Sequence, residues 1–395
     1  MTGFGAAADA FARLEQLARE LEHDFAAGST SAGPACDTAV GARHLSRQLI
    51  MALQSELEFS DPRAPILHRY EQPWVQWGGP NPDNVYRRCV IDPALTYRVW
   101  GNIHGLRGLI VSQVDGDMHL GNFGVFEERT LTDLEVADDG TFAFVIGPQP
   151  SSAASLWIPS HPNARQLLVR EYYTDWSLPS AEVNIECVEH RGTPRSDPTH
   201  AVVSVAFDRA ASWVEKSMTF WKAYAEGART RMPANVFGPP TTPPGGAPNI
   251  AYGAGWFSLK QVAGQRPQAL LIECDAPDAD YWGWTLHTQF WFDSGDFASR
   301  QTSLNCEQMH IDDDGRVRIV VGATDPGTPN WIDISANPEG MIVYRYVGAR
   351  TKPVPSCRVL ALADVHAAMP TTHPSISPAQ RLDSLAQRAV SVYRR

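Results

Sequence analysis

Aromatic and polar side chains alternate along one stretch of the chain, Tyr281 to Phe292, which holds six aromatic residues in twelve positions. In a β-strand the even-numbered positions, from Trp282 onward, form a nearly continuous apolar face that is typical of a protein core. The odd-numbered positions form a polar face bounded by rings: Tyr281, Thr285, His287, Gln289 and Trp291. Rings give a small ligand contact area, and imidazole or amide groups fix its orientation. The odd face is therefore predicted to be either the wall of a pocket or a solvated sheet surface.

The candidate catalytic groups are side chains that exchange a proton or polarise a substrate: Asp83, Tyr86, His287, Arg300, Asp325 and Asp333. In this interpretation one aspartate is the general base, and the tyrosine, histidine or arginine polarises the substrate. A structural interpretation stands beside it, because aspartates also cap turns and brace loops, and an arginine can pair with one of them. A single histidine on a strand is likewise more often structural than catalytic.

The candidate ligand-binding groups are the amides and rings that accompany those side chains: Asn81, Asn84, Tyr281, Gln289, Trp291, Asn305, Asn330 and Trp331. Amides form hydrogen bonds with a ligand, and rings cover its apolar parts. We expect Asp83, Arg300 and Asn330 to approach a common pocket that Tyr281 or His287 also touches.

A second local cluster, formed by Asp115, Asp117 and His119, offers oxygen and nitrogen ligands for a metal ion. A calcium loop would need further oxygen ligands and a closing glutamate at the proper offset. A solvated turn that follows a strand explains the same three residues. The sequence predicts neither a metal site nor a cofactor.

Motifs of the common catalytic folds are absent from the sequence. Gly253-Ala254-Gly255 lacks the third glycine of a dinucleotide-binding fingerprint and the strand before it. The chain also has no phosphate-binding GxxxxGK loop and none of the GxSxG, HExxH or SxxK motifs. Redox and hydrolase templates therefore receive no positive support, although a site assembled from distant strands would leave no local motif.

Four ordered motifs carry a resemblance to a known family: YWGW from Tyr281, RQTSLN from Arg300, DPGTPNWID from Asp325 and IVYRY from Ile342. They resemble the family known as domain of unknown function 1214. Upstream, PNPDN and VYRRCVIDPALTYRVWGN are similar to the N-terminal half of the family's actinobacterial members, so the likeness spans roughly residues 70–350. It implies a β-sandwich of jelly-roll character with helices, here without the signature of the companion domain of unknown function 1254. The family's activity is not established, so the resemblance assigns no catalytic role.

Charge and composition exclude several classes of protein. The chain of 395 residues carries 33 basic and 44 acidic side chains, which gives a net charge of −11, and its basic residues are scattered. Nucleic-acid binding depends on clustered Lys and Arg and is not expected. No uninterrupted apolar stretch reaches the ~18 residues of a membrane span, and the N-terminus lacks a signal-peptide pattern. We expect a cytoplasmic protein that binds a small molecule and neither nucleic acid nor a membrane; homo-oligomerisation stays open.

Hydrophobic periodicity predicts the supporting helices. Apolar side chains recur at steps of three and four between residues 11–25 and 45–57, which predicts an N-terminal helical hairpin over residues 1–60. A similar stripe predicts a helical insertion over residues 197–232, with Asp197 as its N-cap. Ser377 and Pro378 precede a last amphipathic stripe, so residues 358–395 are expected to form a helical tail.

Two β-rich halves, residues 70–192 and 250–350, surround the middle helix. Their short strands alternate apolar and polar residues, as in half-buried antiparallel strands, and turn signals are frequent. The Asp312-Asp313-Asp314-Gly315 sequence is predicted to form a hairpin turn. Strands do not alternate with helices as they do in parallel α/β folds. We therefore predict a mainly β protein with α-helices: an antiparallel β-sandwich of jelly-roll type, decorated by the N-terminal hairpin, the middle helix and a C-terminal helix.

The favoured function is a cofactor-independent enzyme of isomerase, lyase or hydratase type. It would use acid–base chemistry on a small, largely apolar metabolite such as a terpenoid, steroid or aromatic compound. The first alternative is carbohydrate chemistry or binding, with Glu182 or Glu186 paired with Glu307. The second is a non-catalytic ligand-binding or oligomerising protein. A deep cavity lined by rings and carboxyl groups would favour the enzyme, and an open aromatic groove would favour the carbohydrate protein. The lack of a cavity would favour the non-catalytic protein.

Overall fold

Helices flank a strand-rich body in the computed structural model, which describes residues 3–28, 38–122, 124–242, 249–259 and 266–395. The α-helices are α1 (Gly3–Gly28), α2 (Thr38–Glu58), α3 (His200–Arg231) and α4 (Pro378–Arg394). The strands before α3 are β1 (His68–Arg69), β2 (Asn84–Val90), β3 (Tyr97–Asn102), β4 (Gly108–Val114), β5 (Val125–Thr130), β6 (Thr141–Gly147), β7 (Leu156–Pro159), β8 (Gln166–Tyr172) and β9 (Glu182–Cys187). The strands after α3 are β10 (Val236–Phe237), β11 (Ile250–Ser258), β12 (Gln268–Asp275), β13 (Tyr281–Thr288), β14 (Ser303–Asn305), β15 (Arg316–Gly322), β16 (Trp331–Asp333), β17 (Glu339–Val347) and β18 (Ser356–Ala361).

The strands form four sheets that pack as two β-sandwiches. In the first sandwich a sheet of order β1-β2-β8-β4-β5 packs on one of order β7-β6-β3-β9. In the second, β10-β11-β17-β13-β14 packs on β16-β15-β12-β18. The pairings are antiparallel except for β6 with β7 and β15 with β16. The predicted mainly β fold with an antiparallel sandwich and helices is confirmed, and the chain builds the sandwich twice, each time around its own apolar core.

The aromatic strand β13 is shorter than predicted and is buried on both faces. It ends at Thr288 because Phe290 and Phe292 adopt left-handed backbone conformations, with φ of 72° and 54°. Trp282 and Trp284 point into the core of the second sandwich, as predicted. The odd-numbered face, in contrast, is covered by protein instead of solvent. Alternation alone does not separate these cases, because both produce a polar face opposite an apolar one.

The N-terminal helices α1 and α2 both pack against α3. Leu17 of α1, Met51 of α2 and Val214 of α3 belong to one apolar cluster. This cluster also contains Tyr70 and Val75, which precede β2, so the helices cover part of the strand-rich body. Helix stability here comes from an apolar stripe that finds a partner surface, as the periodicity predicts.

The caps of the helices agree with the sequence at one end of the chain and differ in the middle. Helix α3 begins after Thr199, whose hydroxyl accepts a hydrogen bond from the Val202 amide at 3.3 Å. The predicted cap at Asp197 is therefore wrong by two positions; both residue types are good caps, and the pattern did not separate them. Helix α4 begins as predicted, with Ser377 and Gln380 forming a reciprocal capping box.

Short strands and turns are where the structure departs most from the predicted pattern. The turn at Asp312–Gly315 is present, with the Gly315 amide donating to the Asp312 carbonyl at 2.8 Å. It does not close a hairpin, because β14 and β15 belong to different sheets. Within the DPGTPNWID segment β16 runs parallel to β15, and β18 pairs with β12 inside the predicted helical tail. The pairing and direction of such short edge strands depend on the partner strand more than on their own sequence.

The segment between β1 and β2, residues 70–83, runs between the two sandwiches, and we call it the inter-sandwich loop. Its backbone carbonyls at Gly79 and Pro80 accept hydrogen bonds from Arg345 and Ser294 of the second sandwich at 2.8 and 2.6 Å. Gly79 has φ of 70°, and a Cβ atom there would lie 2.2 Å from the Phe292 ring. The loop therefore needs glycine both for its backbone conformation and for its close approach to the ring.

We expect Gly79→Ala to lower the free energy of unfolding by about 3 kcal/mol or more, because left-handed strain and a steric clash add together. Gly105→Ala is the matched control, since Gly105 has φ of 81° but nothing within 4 Å of the added Cβ. This control should lose only about 1 kcal/mol. Urea unfolding followed by tryptophan fluorescence measures both, and equal losses would contradict the close approach at Gly79.

Candidate functional site

Asp83 lies at the boundary between the sandwiches with only 1% of its surface exposed. Three side-chain donors surround its carboxylate. Trp176 Nε1 and Asn305 Nδ2 donate to Oδ1 at 2.7 and 2.8 Å, and the Tyr281 hydroxyl donates to Oδ2 at 2.6 Å. Trp176 follows β8 of the first sandwich, whereas Tyr281 and Asn305 lie on β13 and β14 of the second. Because a buried carboxylate is stable only when donors satisfy it, Asp83 fastens the two sandwiches to each other.

The C-terminal helix adds positive charge to this network. The guanidinium carbons of Arg388 and Arg395 lie 4.2 and 4.4 Å from the centre of the Trp176 ring. Burial lowers the pKa of Arg388 to about 9 and that of Arg395 to about 10, while the charge of Asp83 acts in the opposite direction. Asp83 therefore partly compensates two buried cations as well as accepting three hydrogen bonds.

Two tyrosine–arginine pairs meet at the same boundary. Tyr86 of β2 lies directly opposite Arg170 of β8, and Tyr252 of β11 lies directly opposite Arg345 of β17. The charge of Arg345 acts on the pKa of the Tyr86 hydroxyl, so the pairs from the two sandwiches are electrostatic neighbours. Glu71 of the inter-sandwich loop acts on the same hydroxyl. We call Glu71, Tyr86, Arg170, Tyr252 and Arg345 the polar centre.

The Glu71 carboxyl group is buried, with 6% of the residue exposed. Burial raises its pKa well above the usual value; a hydrogen bond from the backbone of Trp77 and the charges of Arg88 and Arg345 act against this shift without cancelling it. Glu71 therefore keeps its proton to higher pH than an exposed glutamate does. A protonated carboxyl group in such a place can donate a hydrogen bond or a proton.

Three buried polar atoms of the polar centre have no hydrogen-bond partner among the described residues: Glu71 Oε2, Arg170 Nε and Arg345 Nη1. The remaining atoms of the two arginines are held in place. Arg170 Nη2 donates to Ser112 Oγ at 3.1 Å, and Arg345 Nη2 donates to the Gly79 carbonyl. One nitrogen of each guanidinium group is thus fixed by a hydrogen bond, while another nitrogen of the same group has no partner among the described residues. Unpartnered buried groups are rare in folded proteins and need an explanation at each site.

Three side chains of the polar centre retain accessible surface: Tyr86, Arg170 and Tyr252 are each only partly buried. Tyr252 packs in one cluster with Trp221 and Trp77, so rings from α3 and the inter-sandwich loop form an apolar wall beside it.

Six of the sequence-predicted site residues, including Asp83, form one hydrogen-bonded network. Asn81 connects them: its Nδ2 donates to the Tyr281 hydroxyl at 2.7 Å and to Asn84 Oδ1 at 3.2 Å, and its backbone N–H donates to the Tyr86 hydroxyl at 2.9 Å. The members of this network are Asn81, Asp83, Asn84, Tyr86, Tyr281 and Asn305. Within it Tyr86 also belongs to the polar centre, so the network connects the centre with the anchoring carboxylate.

His287 lies beside the polar centre and is fully buried. Its Nε2 is 3.4 Å from Arg345 Nη2, and its Nδ1 is 3.3 Å from Ser294 Oγ. Burial, followed by the charge of Arg345, lowers the pKa of His287 well below its ordinary value. His287 is therefore a neutral imidazole that helps to orient Arg345.

Other predicted residues bond elsewhere. Arg300 pairs with Asp333 at 3.0 Å in a half-exposed position, and Asp325 pairs with Arg381 at 2.8 Å. Asn330 is buried and exchanges two hydrogen bonds of 2.8 Å with the backbone of His310. Arg300 and Asn330 do not join Asp83, so the expected common pocket is not formed. These side chains brace the DPGTPNWID segment, as the structural interpretation holds.

The predicted ligand-binding residues Trp331, Trp291 and Gln289 lie in different places. Trp331 donates from Nε1 to the Gly322 carbonyl at 2.9 Å. Trp291 follows the end of β13 and stacks on His44 of α2, with ring centres 5.1 Å apart. Gln289 is buried in the turn just before it. Trp291 and Gln289 therefore lie where β13 meets the helices instead of in the Asp83 network.

The remaining candidates are engaged in local contacts. Asp115 accepts from the Gly124 amide at 2.9 Å, whereas Asp117 pairs with Arg88 at 2.9 Å. His119 packs edge-on against Trp213. Each of the three carboxylates predicted for carbohydrate chemistry pairs with a different basic side chain. Glu186 faces Arg98 at 3.7 Å, Glu307 faces Arg107 at 3.3 Å, and Glu182 faces His104 at 3.7 Å.

Sequence reasoning missed four members of the polar centre: Glu71, Arg170, Tyr252 and Arg345. A signal for the arginines was present. Arg170 and Arg345 interrupt the otherwise mainly apolar runs QLLVREY and MIVYRYV, which form central strands. A charged residue in a central strand must be paired or functional, because burying it alone is unfavourable.

Comparison with known proteins finds a family model that matches part of this chain. The model of the family described as "Protein of unknown function (DUF1214)" matches residues 260–351. The predicted DUF1214 resemblance is confirmed for this segment. The DUF1214 segment contains β12 to β17, and with them Arg345 and His287. The other four members of the polar centre lie outside it, so the centre combines the DUF1214 segment with the N-terminal part of the chain.

Solved structures extend the similarity beyond the DUF1214 segment. The chain is 27% identical to a crystallised uncharacterised protein from Burkholderia cenocepacia, with a TM-score of 0.79 over 90% of this chain and 97% of that one. A second structure, the VPA0106 protein from Vibrio parahaemolyticus, is 14% identical over 81% of this chain and 97% of that one, with a TM-score of 0.46. No curated protein matches the chain. Of the described helices, none is long and apolar enough to cross a membrane.

We expect Asp83→Asn to lower the free energy of unfolding by about 3 kcal/mol. The amide loses the charge that faces Arg388 and Arg395, and its NH₂ group opposes donors that had a carboxylate acceptor. Asp383→Asn, on the exposed face of α4, is the control and should change stability by less than about 0.5 kcal/mol. Urea unfolding of the two variants measures the difference; equal stability would show that Asp83 does not hold the sandwiches together.

Glu71 predicts a pH dependence of stability. Because its folded pKa is raised above the unfolded one, its contribution to stability is fully present below the unfolded pKa and is lost as pH rises toward the folded pKa. Glu71→Gln removes this loss. We expect the stability of Glu71→Gln relative to wild type to increase between pH 5 and 8, by at most ~1.4 kcal/mol per pH unit. Glu20→Gln on exposed α1 is the control, and parallel pH profiles for all three proteins would refute a buried, protonated Glu71.

Proposed function

We propose that the chain is an enzyme that performs acid–base chemistry on a small molecule bound at the polar centre. The observation that carries this proposal is the set of unpartnered buried atoms on Glu71, Arg170 and Arg345. Each unpaired buried polar group is destabilising by roughly 1–3 kcal/mol, and the polar centre holds three of them. A bound substrate with oxygen atoms supplies the missing partners.

The charges of the polar centre favour a substrate with an anionic or developing anionic oxygen. Among the described residues no carboxylate lies within ion-pair distance of Arg345, whereas Arg170 forms an ion pair with Glu128 at 3.4 Å. Glu71 tends to stay neutral and does not cancel their charge. The guanidinium fork of Arg345 therefore suits a carboxylate or an enolate oxygen. Trp77 and Trp221 offer an apolar wall to the rest of the molecule, in keeping with a largely apolar metabolite.

These groups have distinct roles in an isomerase-, lyase- or hydratase-type reaction. Glu71 is the group that exchanges the proton: its carboxylate form accepts the proton from the substrate carbon, and its carboxyl form, which burial favours, donates a proton back. Arg345 stabilises negative charge that develops on the substrate oxygen, and neutral His287 keeps it oriented. The hydroxyl groups of Tyr86 and Tyr252 stay protonated, since burial raises the pKa of both, and they donate hydrogen bonds to the substrate.

The test is proton exchange at carbon, which acid–base enzymes of this kind catalyse on enolisable acids. The purified chain is incubated in D₂O with a panel of 2-oxo and 3-oxo carboxylic acids that carry alkyl or aryl groups, and loss of C–H signals is followed by NMR. We expect exchange of at least one member, and a decrease of roughly 10²-fold or more in Glu71→Gln and Arg345→Gln. Arg350→Gln, an exposed arginine of the DUF1214 segment, should retain the rate.

Native mass spectrometry separates catalysis from binding alone. Wild type is exposed to a small-molecule extract of cells, and retained masses are compared with those of Arg345→Gln and Arg350→Gln. Retention that depends on Arg345 without any proton exchange would support the ligand-binding alternative in place of the enzyme. If the chain retains no ligand and catalyses no exchange, the proposal of a ligand site at the polar centre is contradicted.

A further inference from the structure

A separate cluster of potential metal ligands lies next to the Asp312–Gly315 turn. Asp312 Oδ1 is 3.2 Å from His310 Nε2 and 2.7 Å from His373 Nδ1. One ligand atom from each of the three side chains lies within 4.8 Å of the others. In the part of the chain that the structure describes, this is the group in which three His, Cys, Asp or Glu side chains converge this closely.

The surroundings of Asp312 leave one carboxylate oxygen for the two imidazoles. Its other oxygen, Oδ2, accepts from Arg318 Nη1 at 2.7 Å. Arg318 is in turn paired with Asp314 at 2.7 Å and with Glu273 at 3.2 Å, so its charge is compensated by carboxylates other than Asp312. A carboxylate held through one oxygen in this way keeps the second oxygen directed at a fixed point, which is how outer partners orient metal ligands.

Both histidines are also held in position. The side-chain amide of Asn330 binds the His310 backbone at both its N–H and its carbonyl, each at 2.8 Å. The His373 side chain is only 1% exposed, and its Nε2 has no hydrogen-bond partner among the described residues. Each imidazole therefore presents one ring nitrogen to the same oxygen of Asp312.

The ligand set selects the class of ion. Two imidazole nitrogens and one carboxylate oxygen suit Zn²⁺ and the neighbouring divalent transition metals, whereas Ca²⁺ and Mg²⁺ prefer sets made of oxygen. His310 is 35% exposed and gives an ion access from solvent, while Asp312 and His373 are buried behind it. Coordination through His373 Nδ1 uses the tautomer that carries its proton on Nε2.

We propose that His310, Asp312 and His373 bind a divalent transition-metal ion of the Zn²⁺ class, with an open coordination position toward solvent. Asp312 precedes β15, whereas His373 lies in the segment between β18 and α4. The ion therefore connects the C-terminal segment to the second sandwich. This site shares no residue with the polar centre, so it stands whether or not the proposed function does.

The experiment uses the full chain after treatment with a chelator and its removal. Zn²⁺ is titrated by calorimetry, and Co²⁺ is added as a spectroscopic probe of coordination. We expect one ion per chain with a Kd below about 1 μM, a Co²⁺ ligand-field spectrum that indicates nitrogen ligands, and a melting temperature that rises with Zn²⁺ concentration. Binding of no ion, or of several weak ions without a Co²⁺ spectrum of this kind, would overturn the proposal.

Variants locate the binding. His310→Gln removes the accessible ligand with little effect on the core and should weaken Zn²⁺ binding by more than ~100-fold. Asp312→Asn is the second variant and tests the same site through the carboxylate. His23→Gln, at an exposed position on α1, is the control and should bind as wild type does. Unchanged affinity in folded His310→Gln and Asp312→Asn would place the ion elsewhere and refute the site.

Discussion

The structure depends on one buried carboxylate that needs donors from both halves of the chain. Asp83 is satisfied only when Trp176 of the first sandwich and Tyr281 and Asn305 of the second meet around it. A carboxylate left with one side open to apolar surroundings would be strongly destabilised. Each sandwich has its own core, and a smaller apolar cluster that includes Ile110 and Ile250 joins them. The polar requirement of Asp83 adds to this apolar contact where the sandwiches meet.

That boundary explains why polar groups collect inside a protein of this composition. The inter-sandwich loop places Glu71 and Asp83 within one short segment, and its Gly79 carbonyl accepts a hydrogen bond from Arg345. Arg170 of β8 and Arg345 of β17 lie at this boundary and are only partly exposed. The same constraint therefore produces both a satisfied network around Asp83 and a less satisfied one around Arg345.

The sequence predicted what depends on local pattern. Helix α4 begins at the expected cap, because a capping pattern reports on the segment itself. Asp83 and Arg300 were expected to approach a common pocket. Arg300 and Asp333 paired with each other instead, and Arg345 was missed, because a residue pattern tells which face is polar but not which distant element covers it. The division into two sandwiches escaped prediction for the same reason.

The contrast between the whole chain and its centre bears on the chemistry. The chain carries a net charge of −11, and yet the polar centre combines two guanidinium groups with a glutamate that tends to stay neutral. Surface carboxylates are screened by water and salt, so they influence an internal site little. Inside, the low dielectric strengthens the attraction between Arg345 and an anionic oxygen, and it also favours the protonated form of Glu71. In the function that we propose, burial thus prepares the acid Glu71 and the electrophilic group Arg345 together, and a substrate that brings a negative charge into the centre would be stabilised by Arg345 while it draws its proton from Glu71.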